Sequence, residues 1–258
     1  MRKILYLGDT ALAEAASYLA GVMNYFETDF DYAESKKKFD ESLLKNDYDA
    51  IIISDYPAEN FTESQIDKII KKVKSGTGLL MIGGWESFTG LNGGYNHTAL
   101  TEVLPIIMED FDDRANCSGP CLIVRNREHI ITDSLPFENQ APAVGGFNKL
   151  RLKRFCNEIL SVRRFKAEYK DGKFEFLEAG DFPLLVTGSY GKGNVAAFAS
   201  DAAPHWVGPL VDWGDKRITA KAAGGTEIEV GNWYAELFIN MIRWVSKTER
   251  QQNTEAKC

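Results

Sequence analysis

The chain has 258 residues, 44% of them hydrophobic, which is enough for a sizeable core in one or two domains. Its net charge of −7 argues against bulk nucleic-acid binding, which needs a positive stripe to displace counterions from phosphate. No apolar run approaches the roughly 18 residues of a membrane span, so the expectation is a cytoplasmic protein with neither a membrane nor a nucleic-acid partner.

The chain opens with two charged residues and a short apolar run that stops too early for a secretory signal, and residues 3–7 are expected to form a first β-strand. Gly8, Asp9 and Thr10 end it. The alanine-rich residues 11–23 suit a helix, and residues 25–33 a loop or short strand. Residues 35–45 suit a second helix, with Phe39, Leu43 and Leu44 on one face. Residues 50–54 are continuously apolar, as in a central parallel strand covered on both faces. Thr62 and Gln65 form a capping box in front of a helix whose buried stripe is Ile66, Ile69, Ile70 and Val73, and Gly76 stops it. Residues 78–83 give the next strand. This β-α-β-α-β order indicates a doubly wound, mostly parallel sheet.

The second half differs. Residues 106–180 form a β-rich insertion, with extended stretches at 121–125, 149–153, 158–165 and 174–176 and a hairpin turn at Asp171-Gly172. The insertion is expected to pack on the same sheet, because no linker marks a boundary. Residues 183–190 and 194–199 read as another hairpin, turned at Gly191-Lys192-Gly193. Residues 201–230 read as one long loop, a frequent place for function. A last helix spans 233–245, with Leu237, Met241 and Trp244 in the core, and 249–258 is expected to be a disordered tail behind a single domain over 1–248.

Cys117 and Cys121 form a C-x3-C pair with no second pair and no histidine at finger spacing, a weak zinc signal. Without an export signal, these two, Cys156 and Cys258 are expected as free thiols. Cys258, in the polar tail, lacks the context for prenylation. The basic run Lys149, Arg151, Lys153 and Arg154, with Arg163 and Arg164 nearby, reads as a solvated strand edge, with a local anion site as the alternative.

In open parallel sheets ligands bind outside the carboxyl ends of the strands. Those ends supply Gly8-Asp9-Thr10, Ser54-Asp55-Tyr56, the run from Gly83 to Ser87, and the run from Ser200 to Trp206. Three stretches carry a resemblance to a known family. They are Tyr48 to Asp55; Gly76 to Gly90, followed by Thr101-Glu-Val-Leu-Pro105; and Gly191 to Trp206. Together they resemble a bacterial family labelled "putative glutamine amidotransferase", over roughly residues 1–247. The resemblance implies a flavodoxin-like α/β fold of the class I glutamine amidotransferase-like superfamily. It implies no proven activity.

In that superfamily a cysteine on a strained turn after a central strand attacks the glutamine amide, with a histidine and a glutamate from a later strand assisting. Here the turn falls at Gly83-Gly84, which has no nucleophile, and Ser87 lies too far along to replace it. Classical glutaminase chemistry is therefore not expected.

The remaining candidates each have two readings. His205 is a base or metal ligand, or a loop cap. Asp201 orients His205 or binds ligand, or makes an Asx-turn. Glu86 is an acid or base, or an exposed loop charge. Gly83 and Gly84 present free amides to an anion, or only turn the chain. Trp85 and Trp206 stack on a ring or sugar, or belong to the core. Asp55 contacts ligand or caps a helix, and Ser87 joins the ligand-binding set. His97 would join His205 and Asp201 around a metal, although its spacing fits no metal motif. His129 reads as structural, and no phosphate loop is present. The expectation is a small polar metabolite bound at the strand ends without a cofactor. The alternatives are a hydrolase using His205 and a carboxylate, with or without a metal, and a structural subunit of a homo-oligomer.

Overall fold

The structure is a computed structural model that describes residues 3–119 and 121–248. In chain order its elements are β1 (Lys3–Gly8), α1 (Ser17–Tyr25), β2 (Asp29–Ala33), β3 (Ala50–Ser54), α2 (Glu63–Ser75), β4 (Gly78–Ile82), α3 (Leu100–Val103), β5 (Ile106–Ile107), β6 (Arg114–Asn116) and β7 (Cys121–Arg125). There follow β8 (Gly146–Asn148), β9 (Arg151–Leu152), β10 (Asn157–Lys170), β11 (Lys173–Tyr190), β12 (Gly193–Phe198), α4 (Pro204–Val211), β13 (Arg217–Ala220), β14 (Ile228–Gly231) and α5 (Asn232–Val245).

A central eight-stranded sheet runs β2-β1-β3-β4-β12-β11-β10-β7. The pairings from β2 to β12 are parallel. Those from β12 to β7 are antiparallel. Every residue of β3 and of β4 is buried, as a parallel strand covered on both faces requires. The capping box forms as expected: the Gln65 amide donates to Thr62 Oγ1 at 3.3 Å and the Thr62 amide donates to Gln65 Oε1 at 2.9 Å. Gly76 ends α2 at φ 134°, which disfavours a side chain.

Several expectations are corrected. Residues 35–45 are not a helix; only a 3-10 turn, Glu41–Lys45, forms there, capped by Asp40. Local bonds compete: Ser35 Oγ donates to the Asp55 carbonyl, and the Phe39 amide donates to the Asn60 carbonyl at 2.9 Å. Phe39 is still buried, against the ring of Phe61 at 5.0 Å, so its apolar surface is satisfied without a helix. The first helix starts at Ser17, because Asp9 and Thr10 hold left-handed φ values of 52° and 65° and the turn continues after them. Residues 201–230 are not one loop; they hold α4 and the hairpin β13–β14, whose alternating burial was the missed signal. The extended stretch at 149–153 shrinks to β9, where Arg151 pairs with Glu109 at 2.8 Å, as befits a solvated edge. Cys117 and Cys121 are not free thiols; their Cα atoms lie 6.5 Å apart and a disulfide joins them. Cys156 is a free, half-buried thiol, whereas Cys258 and the expected tail lie outside the described residues.

Candidate functional site

Three parallel strands deliver a carboxylate each to one end of the sheet. Asp9 follows β1, Asp55 follows β3 and Asp201 follows β12. Asp9 is buried, and its Oδ2 accepts from Tyr6 Oη at 3.0 Å and Ser54 Oγ at 2.9 Å. Burial pushes its carboxyl up to about 6, against the pull of those two donors. Asp55 is half-buried, with φ 46°. Its carboxyl is pushed up to about 7, by burial first and then by the charge of Asp9. Asp201 is buried and pushed upward by burial, Asp9 and Asp55, in that order. Burial and the like charges of the neighbouring carboxylates thus both favour retention of protons in this cluster.

The turn after β4 is built around Asp55. Gly84 lies at φ 146°, and a Cβ there would sit 2.1 Å from Asp55 Oδ1. The Glu86 amide donates to Asp55 Oδ1 at 2.8 Å, and the Trp85 amide also supports this carboxylate. Two backbone donors of the turn, those of Trp85 and Glu86, are thus occupied by the Asp55 carboxyl. Gly83 and Gly84 present no free amides: the first donates to the Phe198 carbonyl at 2.7 Å and the second to Asn148 Oδ1 at 3.0 Å. The expected anion nest at these two glycines is therefore corrected.

An open cleft of about 470 Å³ lies over this turn. Its walls include Thr10, Ser35, Lys36, Asp55, Glu59, Asn60, Trp85, Glu86, Asn92 and His205. Four of the expected site residues, Asp55, Trp85, Glu86 and His205, therefore meet. Trp85 is 38% exposed; its ring lies 5.2 Å from the exposed His205 and 4.6 Å from the Arg114 guanidinium. The Glu86 carboxyl is raised by burial and partly restored by an Asn92 hydrogen bond.

Other candidates lie elsewhere. Trp206 is buried against Gly146, and its Nε1 donates to Asn116 Oδ1 at 3.0 Å, which makes it a core residue. Ser87 is also buried: its Oγ donates to the Ile82 carbonyl at 2.6 Å and accepts from the Asp55 amide at 2.9 Å, so it braces the turn. Asp201 accepts from the Ala203 amide at 2.9 Å, the Asx-turn reading, while His205 lines the cleft. His97 lines a neighbouring cleft of about 740 Å³ with Asn96 and Asp110, apart from His205 and Asp201. Among the described residues no group of three or more histidines, cysteines and carboxylates is arranged to hold a metal. No described helix is long and apolar enough to cross a membrane.

Sequence reasoning missed Asp113 and Asn148. Asp113 is buried and accepts from the amides of Thr89 at 3.1 Å and Gly90 at 3.0 Å and from Asn148 Nδ2 at 2.7 Å. Asn148 Nδ2 also donates to the Gly84 carbonyl at 3.1 Å. Together they tie the insertion to the turn. Nothing local marks either residue, because both act across long chain separations. Asp9 had a signal, its place directly after a parallel strand.

Comparison with known proteins gives a consistent result. A family model described as "Putative glutamine amidotransferase" matches residues 7–221. The cytoplasmic protein STM1381 from Salmonella typhimurium LT2 is similar in structure, with 29% identity and a TM-score of 0.71, over 94% of this chain and 99% of that one. The cytoplasmic protein STM3548 from Salmonella typhimurium shares the fold at 24% identity and a TM-score of 0.70, over 94% and 98%. A cold-adapted β-galactosidase from Rahnella sp. R3 shares it at 11% identity and a TM-score of 0.53, where the match takes up 97% of this chain and 32% of that enzyme. No curated protein matches the chain.

Proposed function

The chain belongs to the family described as "Putative glutamine amidotransferase", and within it we propose a flavodoxin-like binding protein for a small polar molecule rather than a glutaminase. The observation that carries this reading is the Asp55 carboxylate, seated on the backbone donors of the turn after β4. In class I amidotransferase-like chemistry the nucleophile and the developing oxyanion would need that turn. Here Gly83 and Gly84 supply no nucleophile, and an internal anion takes the donors. The cleft above suits a ligand with several hydrogen-bonding groups and one flat face: Lys36, Glu59 and Asn92 offer both charge signs and an amide, and Trp85 offers a ring. Its place in the cell follows the two Salmonella proteins, which are described as cytoplasmic.

A thermal-shift screen of the wild type and His205→Ala against amino acids (glutamine included), sugars and nucleotides tests the reading. A ligand at a hundredfold its Kd adds about 2.7 kcal/mol, or roughly 5–10 °C for a chain of this size. The expected result is one compound class that shifts the wild type, shifts His205→Ala less, and is recovered unchanged. Release of ammonia from glutamine would sink the proposal. A second reading, a cysteine-free hydrolase, draws on Asp55 held at about 7 in the same cleft as His205 and Glu86. A stabilising ligand that is consumed, with loss of turnover in Asp55→Asn, would favour it.

A further inference from the structure

The strands β10 and β11 outrun their neighbours. On one side β7 pairs with β10 only over Leu160 to Arg164. On the other, β12 pairs with β11 only from Leu185 to Tyr190. Beyond these limits the two strands pair only with each other, from Phe165 opposite Glu178 to Lys170 opposite Lys173. The six cross-strand pairs make a free ribbon about 20 Å long, at roughly 3.4 Å per residue. Asp171 and Gly172, at φ 49° and 79°, close its tip.

The ribbon is amphipathic. Side chains alternate between faces along a strand, and directly paired residues share a face. One face therefore carries Phe165, Ala167, Tyr169, Phe174 and Phe176, ending at Glu178. The rings of Tyr169 and Phe174 lie 5.0 Å apart on it. The other face carries Lys166, Glu168, Lys170, Lys173 and Glu175 with Leu177, and its Lys166–Glu168 and Lys170–Glu168 pairs close at 2.9 and 2.6 Å. The burial is inverted: Tyr169 is 66%, Phe174 68% and Phe176 57% exposed. A lone two-stranded ribbon is only marginally stable in water, and a contiguous aromatic face adds to the cost of leaving it uncovered.

We propose that this aromatic face is a self-association surface, covered by the same face of a second copy of the chain across a two-fold axis near the Ala167–Phe176 pair. Two observations select a second copy. The face is self-complementary, with alanine at the centre flanked by rings, as an isologous contact needs. The area is adequate for a reversible dimer. Aromatic side chains contribute about 150–250 Å² each, so the three exposed rings bury on the order of 300–500 Å² per copy, about 600–1,000 Å² in all, the size of a weak, transient contact. Phospholipid is a poorer match, because Glu178, at the end of the aromatic face, would meet an anionic surface and no lysine of the ribbon shares that face.

Sedimentation velocity over a dilution series of the full chain tests the proposal. The wild type is expected to dimerise reversibly. The double variant Phe174→Ser/Phe176→Ser should weaken dimerisation about tenfold or more, with an unchanged circular dichroism spectrum and an unchanged Tm at concentrations where the wild type is monomeric. A second measurement places the axis. In a Cys156→Ser/Cys258→Ser background, Ala167→Cys should form an intermolecular disulfide under mild oxidation, whereas Lys166→Cys on the opposite face should not. A wild type that stays monomeric across its soluble range overturns the proposal and assigns the face to a different macromolecule. So does a dimer that survives the double substitution, or equal cross-linking at positions 166 and 167.

Discussion

The parallel half of the sheet and the free ribbon handle apolar residues in opposite ways. In β3 and β4 every side chain is buried, and the strands read as unbroken apolar runs. In β11, Lys173 through Gly180 are exposed at every position, although the sequence alternates from Lys173 to Phe176 as in a half-buried strand. The lesson is that periodicity reports what a segment is built to contact, wherever the contact comes from. In the parallel half the partner is the chain's own helices, so the loops after β1, β3, β4 and β12 are held firmly enough to assemble a site. In the ribbon, alternation without burial is the ground for the second copy proposed above.

The sharpest way to break this comparison is to truncate a phenylalanine in the parallel half. Phe198 is fully buried, with its ring 5.4 Å from that of Phe238. Phe198→Ala should cost about 3–5 kcal/mol, read as a lower midpoint in urea with little change in slope. If the loss is no larger than for the ribbon variants measured as monomers, the contrast between the halves is wrong. Next in size is Gly84→Ala, because the new methyl meets the Asp55 carboxylate at a φ hostile to side chains. A loss of about 2–3 kcal/mol is expected. Gly94→Ala is the control: its φ is also positive, at 69°, but the nearest atom is 3.8 Å away. Equal losses at both glycines would mean that backbone strain, not the carboxylate, fixes the turn.

The smallest effect is pH-dependent. Unfolded, Asp55 releases its proton near 3.8; folded, near 7. Between these values the folded chain holds a proton that the unfolded chain has lost, so stability falls as pH rises through this window and levels off above it. Asp55→Asn keeps an acceptor for the Glu86 amide and removes the charge. It should therefore flatten the slope between pH 5 and 8 by on the order of 1–2 kcal/mol, after discount for partial exposure. Urea titrations at the two pH values check this, and a slope left intact would move the buried charge to Asp9 or Asp201.

Much of the parallel half was legible in the sequence because its signals are local: the apolar run of β3, the capping box of α2, Gly76. The strand-end rule likewise brought Asp55, Trp85, Glu86 and His205 to one cleft. What was not legible depends on distant partners. The chain from Ser35 to Lys45 has a helical apolar pattern, yet Ser35 is bound to the Asp55 carbonyl and Phe39 to Asn60. Trp206 follows the right strand but turns into the core, to a bond with Asn116. The bracing of the turn by Asp113 and Asn148 spans the insertion, and no window of sequence contains it. The Cys117–Cys121 disulfide was misjudged because the expectation came from cellular compartment.

The seat of Asp55 on the turn after β4 also constrains the order in which this protein could change. A cysteine placed at position 84 would bring its Cβ to 2.1 Å from the Asp55 carboxylate. The nucleophile cannot be restored by that single substitution while the carboxylate stays. The acid would have to leave first, and its departure would orphan the Glu86 amide and deprive Ser87 of a neighbour before any new chemistry was gained. A side chain at position 84 is therefore compatible with this turn only if Asp55 changes as well. The glycine pair and its facing aspartate thus act as one structural unit, in which neither part can be altered without the other.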